Sequence, residues 1–146
     1  MGLVMRLIFE PDTLSQTEQG SVTGVIYFDF GEGQTYPGTG WSDFALVLAG
    51  WWMSAVKELE QGECKAKLLF MDGPFEIHLF REGDDQVLMR CMPTRSKEQI
   101  DLRLGLDVLK QEIQRTAREV AHACDAANLH ARAIRDLEHL NDLLKL

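Results

Sequence analysis

Three aspartates and one histidine carry the acid–base potential of this sequence. Asp29, Asp43 and Asp72 each fall at the end of a predicted element, and His78 falls inside a predicted strand. A carboxylate beside an imidazole can relay a proton when the two lie within hydrogen-bond reach. Nothing in the spacing brings these four together, and no GxSxG turn supplies a nucleophile. The plainer reading makes Asp43 a charge near a helix N-terminus, Asp72 a turn residue and His78 a solvated strand residue, which points away from an enzyme. His122, Cys124, Asp125, His130 and His139 offer metal-binding atoms, but no histidine pair has the i, i+4 spacing of an HExxH helix. No metal and no cofactor are expected. Gly31, Gly33, Gly38 and Gly40 cluster as a phosphate loop would, yet neither Gly-Lys-Ser/Thr nor GxGxxG follows.

Recognition is the other chemistry on offer. Aromatic residues concentrate at protein interfaces, and Trp41, Trp51 and Trp52 fall within one short stretch. Trp51 and Trp52 are expected to fill the core. Trp41, with Tyr36 and Asp43, marks the turning mouth of a helix and is expected to meet a partner, together with the nearby acids Asp29 and Glu32. The charge supports a protein partner. Residues 1–63 hold nine acids against Arg6 and Lys57, a net of −7, out of −8 for all 146 residues. Binding to phosphate backbones needs clustered Lys and Arg, so neither nucleic acid nor an anionic membrane fits. A basic protein does.

The elements that must position these residues can be read from periodicity. Leu3–Glu10 alternates as a strand and is followed by a polar loop. Val22–Phe30 is β-branched and aromatic, and pairs with it antiparallel. Ser42 is the expected N-cap of a helix running to Gln61, apolar on most faces, with Gly62 just past its end. Lys65–Met71, Phe75–Arg81 and Gln86–Met92 are further strands. Pro74 after Asp72-Gly73 removes the N–H that would close a tight hairpin, so a wider turn is expected there. Phe75, Ile77 and Leu79 should face the helix. The result is an α+β domain over residues 1–95, with an antiparallel sheet of about five strands on one central helix.

Residues 96–146 read as a helical extension. Ser96 and Gln99 fit a capping box. No Gly or Pro occurs from Leu106 to Leu146, and a heptad seam runs through Leu106, Leu109, Ile113, Val120, Ile134 and Leu137, with His130 as a polar seam residue. One helix from Lys97 to Leu144 would be about 70 Å long, which demands a partner such as a second copy. A helical hairpin turning near Asp125–Asn128 is the alternative, and the absence of turn residues favours the single helix.

Cys64, Cys91 and Cys124 are widely spaced and odd in number, which suits a reducing cytoplasm rather than a disulfide framework. The N-terminus lacks a basic region leading into an apolar signal segment, and Phe44–Met53 is too short to span a bilayer.

Trp41-Ser42-Asp43-Phe44 followed by Trp51-Trp52, then Leu69-Phe70-Met71-Asp72-Gly73-Pro74-Phe75, resembles small bacterial proteins akin to the immunity proteins encoded beside polymorphic toxins. The resemblance covers about residues 22–92 and leaves out the tail. It implies a cytoplasmic protein that binds and neutralises a cognate toxin, and the acidic first 63 residues would suit a basic one. The competing expectation is a homodimeric structural or chaperone-like protein assembled through the tail.

Overall fold

The computed structural model describes residues 4–127 and 131–145. The fold is α+β, with eight strands in two four-stranded antiparallel sheets and three helices among the described residues. The first sheet pairs β1 (Arg6–Gln16) with β2 (Val22–Asp29), and β2 with the short β3 (Thr35–Tyr36) and β4 (Ser42–Asp43). The second runs in order through β5 (Lys65–Leu69), β6 (Glu76–Glu82), β7 (Gln86–Cys91) and β8 (Ile100–Gly105). Helix α1 (Ala45–Glu60) packs on β2 and β5, one strand from each sheet. Helices α2 (Leu106–Ala126) and α3 (Ala131–Leu144) pack on α1 from the other side, and α2 also lies on β1. The single five-strand sheet expected from the sequence is thus two sheets sharing one helix.

Helix α1 is central because it is apolar nearly all round. Leu48, Trp52 and Leu59 are buried among the sheet residues Phe28, Ile26, Leu68, Ile77 and Leu79. Trp52 sits 5.4 Å from the Phe28 ring and 5.2 Å from Phe70, distances typical of tilted and edge-on aromatic pairs. The start of α1 differs from expectation. Ser42 and Asp43 belong to β4, the helix begins at Ala45, and no side chain caps it. Its C-terminus is closed by Arg81 of β6, whose guanidinium donates to the Leu59 carbonyl, and Gly62 follows with φ of +107°.

Other boundaries moved for local reasons. Strand β1 runs on through the supposed polar loop, with its register shifting between Glu10 and Ser15. Thr13 patches the irregularity: its hydroxyl donates to the Glu10 carbonyl (2.6 Å) and accepts from the Val25 amide (2.8 Å). The turn from β5 to β6 is wide, as Pro74 implied: β5 ends at Leu69 and β6 begins at Glu76, and these two residues are register partners. The sheets are joined by Tyr36, whose hydroxyl donates to the Met92 carbonyl (2.8 Å) and accepts from the Glu76 amide (3.1 Å).

The tail departs most from its expected form. Residues 100–105 are not helical but complete the second sheet as β8, so a boundary at 95/96 would fall inside the β7–β8 connection. Ser96 caps nothing. Its amide and that of Lys97 donate to the Thr94 hydroxyl in a turn. The long helix is two helices, because Ala127 leaves the helical region for an extended backbone (φ −99°, ψ 148°) and α3 then packs on α1 and α2. His130 lies outside the described residues. Among the described helices, none is long and apolar enough to cross a membrane.

Candidate partner-binding surface

Asp43 is the best-held polar group near the expected mouth. Its carboxylate is 1% exposed, yet it accepts four N–H bonds. Oδ1 takes the amides of Phe44 (2.7 Å) and Met71 (3.3 Å), and Oδ2 takes the Trp41 indole (2.9 Å) and the amide of Asp72 (3.2 Å). A buried charge is tolerable when hydrogen-bonded on all sides. These bonds tie the start of α1 to the β5–β6 turn. Above them the Trp41 ring lies edge-on to Phe75 (5.0 Å), and Phe75 lies edge-on to Tyr36 (5.5 Å).

This corrects the expected site. Tyr36 and Asp43 are buried, and both are spent on joining elements within the chain. Burial also pushes the Tyr36 phenol up to about 12, despite the hydrogen bond to its oxygen from the Glu76 amide. Trp41 is half-buried against Phe75. Asp29 is half-buried and accepts from the Gly31 amide (2.9 Å) in the turn after β2, and Glu32 in that turn is exposed. The tail seam is likewise used internally. Leu106, Leu109, Ile113, Val120 and Leu137 are buried by the chain's own elements, and only Ile134 of that set is exposed (42%).

The imagined Asp–His relay does not assemble. His78 bonds through Nε2 to Glu76 Oε1 (2.6 Å) on the outer face of the second sheet. Cys124 is buried, which pushes its thiol up to about 11 and leaves it a poor nucleophile. Among the described residues, no group of three or more His, Cys, Asp or Glu side chains could hold a metal.

Exposed apolar side chains lie elsewhere, on α1 and at the end of β5. Trp51, expected in the core, is 43% exposed, while its neighbour Trp52 is 1% exposed. Adjacent helical residues point about 100° apart, so Trp51 leaves the sheet-facing side that holds Trp52 and lines a cleft with Gly50, Ser54 and the α3 residues Asp136 and His139. The Trp52 indole donates to the Leu69 carbonyl (2.9 Å), which places this turn of α1 at the end of β5. Leu69 (38%) and Met71 (46%) are exposed there as well. The sequence signal was the tryptophan pair itself, since two adjacent helical residues share one buried face poorly. Lys65 and Lys67, exposed charges alternating along β5, are the kind of residue that marks a sheet edge.

Strand β5 is an edge of the second sheet. The Phe70 amide donates to Phe75 (3.4 Å) and the Arg81 amide to Cys64 (2.8 Å). With Ala66 opposite Leu79 and Leu68 opposite Ile77, the even-numbered residues turn their backbone to β6. Lys65, Lys67 and Leu69 therefore turn theirs outward. Trp52 bonds the Leu69 carbonyl, and among the described residues no hydrogen bond engages the outward backbone of Lys65 or Lys67. The edge of the first sheet is treated otherwise. The Leu7 amide on β1 donates to Glu112 (2.7 Å), and Arg115 donates to the Leu7 carbonyl (2.9 Å). No family model matches the chain, no curated protein matches it and no solved structure matches it.

Proposed function

We propose that this protein is a non-enzymatic protein-binding module whose partner docks on the seam of α1 and β5. The observation that carries the reading is the exposure of Leu69 and Met71 (38 and 46%) at the end of an unpaired strand edge, with Trp51 (43%) exposed on the helix that packs against β5. Large exposed apolar side chains next to a sheet edge carry an aggregation liability, and use as an interface accounts for them. The form of binding that best suits the sequence is neutralisation of a cognate bacterial toxin. The acidity of residues 1–63, nine acids against two cations, would suit a basic toxin.

The test is co-expression with the protein encoded by the adjacent gene. A stable complex and protection of cells are expected, and Trp51→Ala and Met71→Asp should weaken the complex at least about tenfold, the equivalent of about 1.4 kcal/mol. Failure to form a complex or to protect would refute the reading. Binding unaffected by both substitutions would move the site elsewhere.

A further inference from the structure

We infer that the β5 edge is completed by an extended, acidic segment of the partner, which adds as a fifth strand to the second sheet. The inference rests on the protein-binding reading and names the element that docks. Strand addition uses backbone bonds for affinity and alternate side chains for specificity. The outward N–H and C=O groups of Lys65 and Lys67 supply the first, and their side chains supply the second. On the outer face of the sheet Lys65 stands opposite Phe80 and Lys67 opposite His78. Lys67 reaches Glu76 only at 4.0 Å, and Lys65 makes no ion pair among the described residues. Two under-neutralised cations two residues apart select an added strand with carboxylates at alternate positions. Its intervening side chains would point to the inner face, towards α1, and there apolar residues fit.

A second copy fits worse. Antiparallel self-pairing centred on β5 sets Lys67 against Lys67, and like charges directly opposite destabilise a strand pair. The other edge of this sheet lacks the charge preference. On β8, Asp101 is held by Arg90 (3.0 Å) and Arg103 by Glu82 (2.9 Å), so both signs are already matched.

The experiment uses the full chain and a capped peptide, Thr-Leu-Val-Glu-Val-Glu-Thr, with a lysine-for-glutamate peptide as control. Amide hydrogen exchange is followed at Lys65 and Lys67. The acidic peptide is expected to slow exchange at both amides, and the control peptide is not. The variant pair Lys65→Glu, Lys67→Glu should reverse the peptide preference by roughly tenfold or more in Kd. Lys67→Pro removes an outward N–H that the β5–β6 ladder does not use, so the fold should persist, checked by circular dichroism, while peptide binding is lost. Unchanged exchange at both amides, an unreversed preference, or the same protection arising from self-association alone would overturn the inference. A complex with the neighbouring protein that survives Lys67→Pro and the charge reversal removes the strand-addition idea and leaves the binding module standing. Failure of the unaltered chain to form that complex removes the module reading, whatever the peptide does.

Discussion

Replacing Asp43 with asparagine keeps the shape of the side chain and removes half of its accepting capacity. Each carboxylate oxygen serves two donors: Oδ1 the amides of Phe44 and Met71, Oδ2 the Trp41 indole and the Asp72 amide. An asparagine presents one oxygen and one NH2 group. Whichever way the amide turns, two N–H donors face its nitrogen and lose their acceptor. A hydrogen bond to an ionised group contributes about 1.5–3 kcal/mol, so losing two costs about 3–6 kcal/mol. Each pair contains one long bond, of 3.2 or 3.3 Å, and weak bonds of that kind put the expectation at the low end, about 3 kcal/mol.

Urea denaturation reads this directly. With a slope of about 1–3 kcal/mol per M, the midpoint should fall by about 1–3 M with the slope unchanged. The control is Asp72→Asn, which alters an exposed side chain and should stay within about 0.5 kcal/mol of the parent. A loss of less than about 1 kcal/mol for Asp43→Asn would show that the four N–H bonds do not hold this carboxylate. The β5–β6 turn also depends on Asp43, through the Met71 and Asp72 amides. The same variant should therefore loosen the turn that presents Met71, part of the proposed docking surface.

Three further outcomes follow from the geometry. Burial opposes ionisation of Glu112, but bonds from Arg115 and the Leu7 amide outweigh it and hold the carboxyl below its ordinary value of 4.5. Its contribution is therefore full above that value and is lost as pH falls through the lower folded value. Glu112→Gln should flatten the acid limb of the stability–pH curve, and an unchanged limb in acid denaturation would refute the link. Cys64 is exposed, whereas Cys91 and Cys124 are buried with their thiols pushed up. Mass spectrometry after native alkylation should find Cys64 alone modified, and rapid labelling of either buried thiol would contradict the packing. Val120 is fully buried and Ile134 is 42% exposed. Val120→Asp should cost several kcal/mol, as an unpaired buried charge does, and Ile134→Asp should cost within about 0.5 kcal/mol, measured by thermal melts. Equal and large effects would mean that both sit in one shared seam.

Periodicity reported which faces of the chain are covered, but not by what. The heptad through Leu106, Leu109, Ile113 and Val120 correctly marks a buried stripe, yet that stripe lies on elements of the same chain and not on a second copy. The same limit explains β8. Ile100, Leu102 and Leu104 alternate as a strand should, but six residues of alternation beside an apparent capping box read as the start of a helix. Only the pairing with β7, through the register of Cys91 with Ile100, decides the matter. The strands β2, β6 and β7 and the helix α1 were legible because each has strong propensity and a pattern long enough to exclude the alternative.

The site was less legible for a reason that lies in the donors. Two of the four groups that hold Asp43 are backbone amides 28 and 29 residues away, and a backbone amide leaves no mark in a sequence. An aspartate beside a tryptophan at a helix mouth therefore read as a surface feature. Sheet edges hide in part for the same reason, because a strand's neighbours make it an edge and its residues, such as Lys65 and Lys67, only mark it. The two sheets then show what the chain does with an edge once it has one. At β1 it directs Glu112 and Arg115 onto the Leu7 amide and carbonyl, replacing a neighbouring strand with side chains. At β5 it supplies Trp52 for the Leu69 carbonyl and leaves Lys65 and Lys67 with their backbone open. A chain that closes one edge with a carboxylate and a guanidinium has the means to close the other. A self-paired β5 would set lysine against lysine there, and the strand addition proposed above would take up the outward amides.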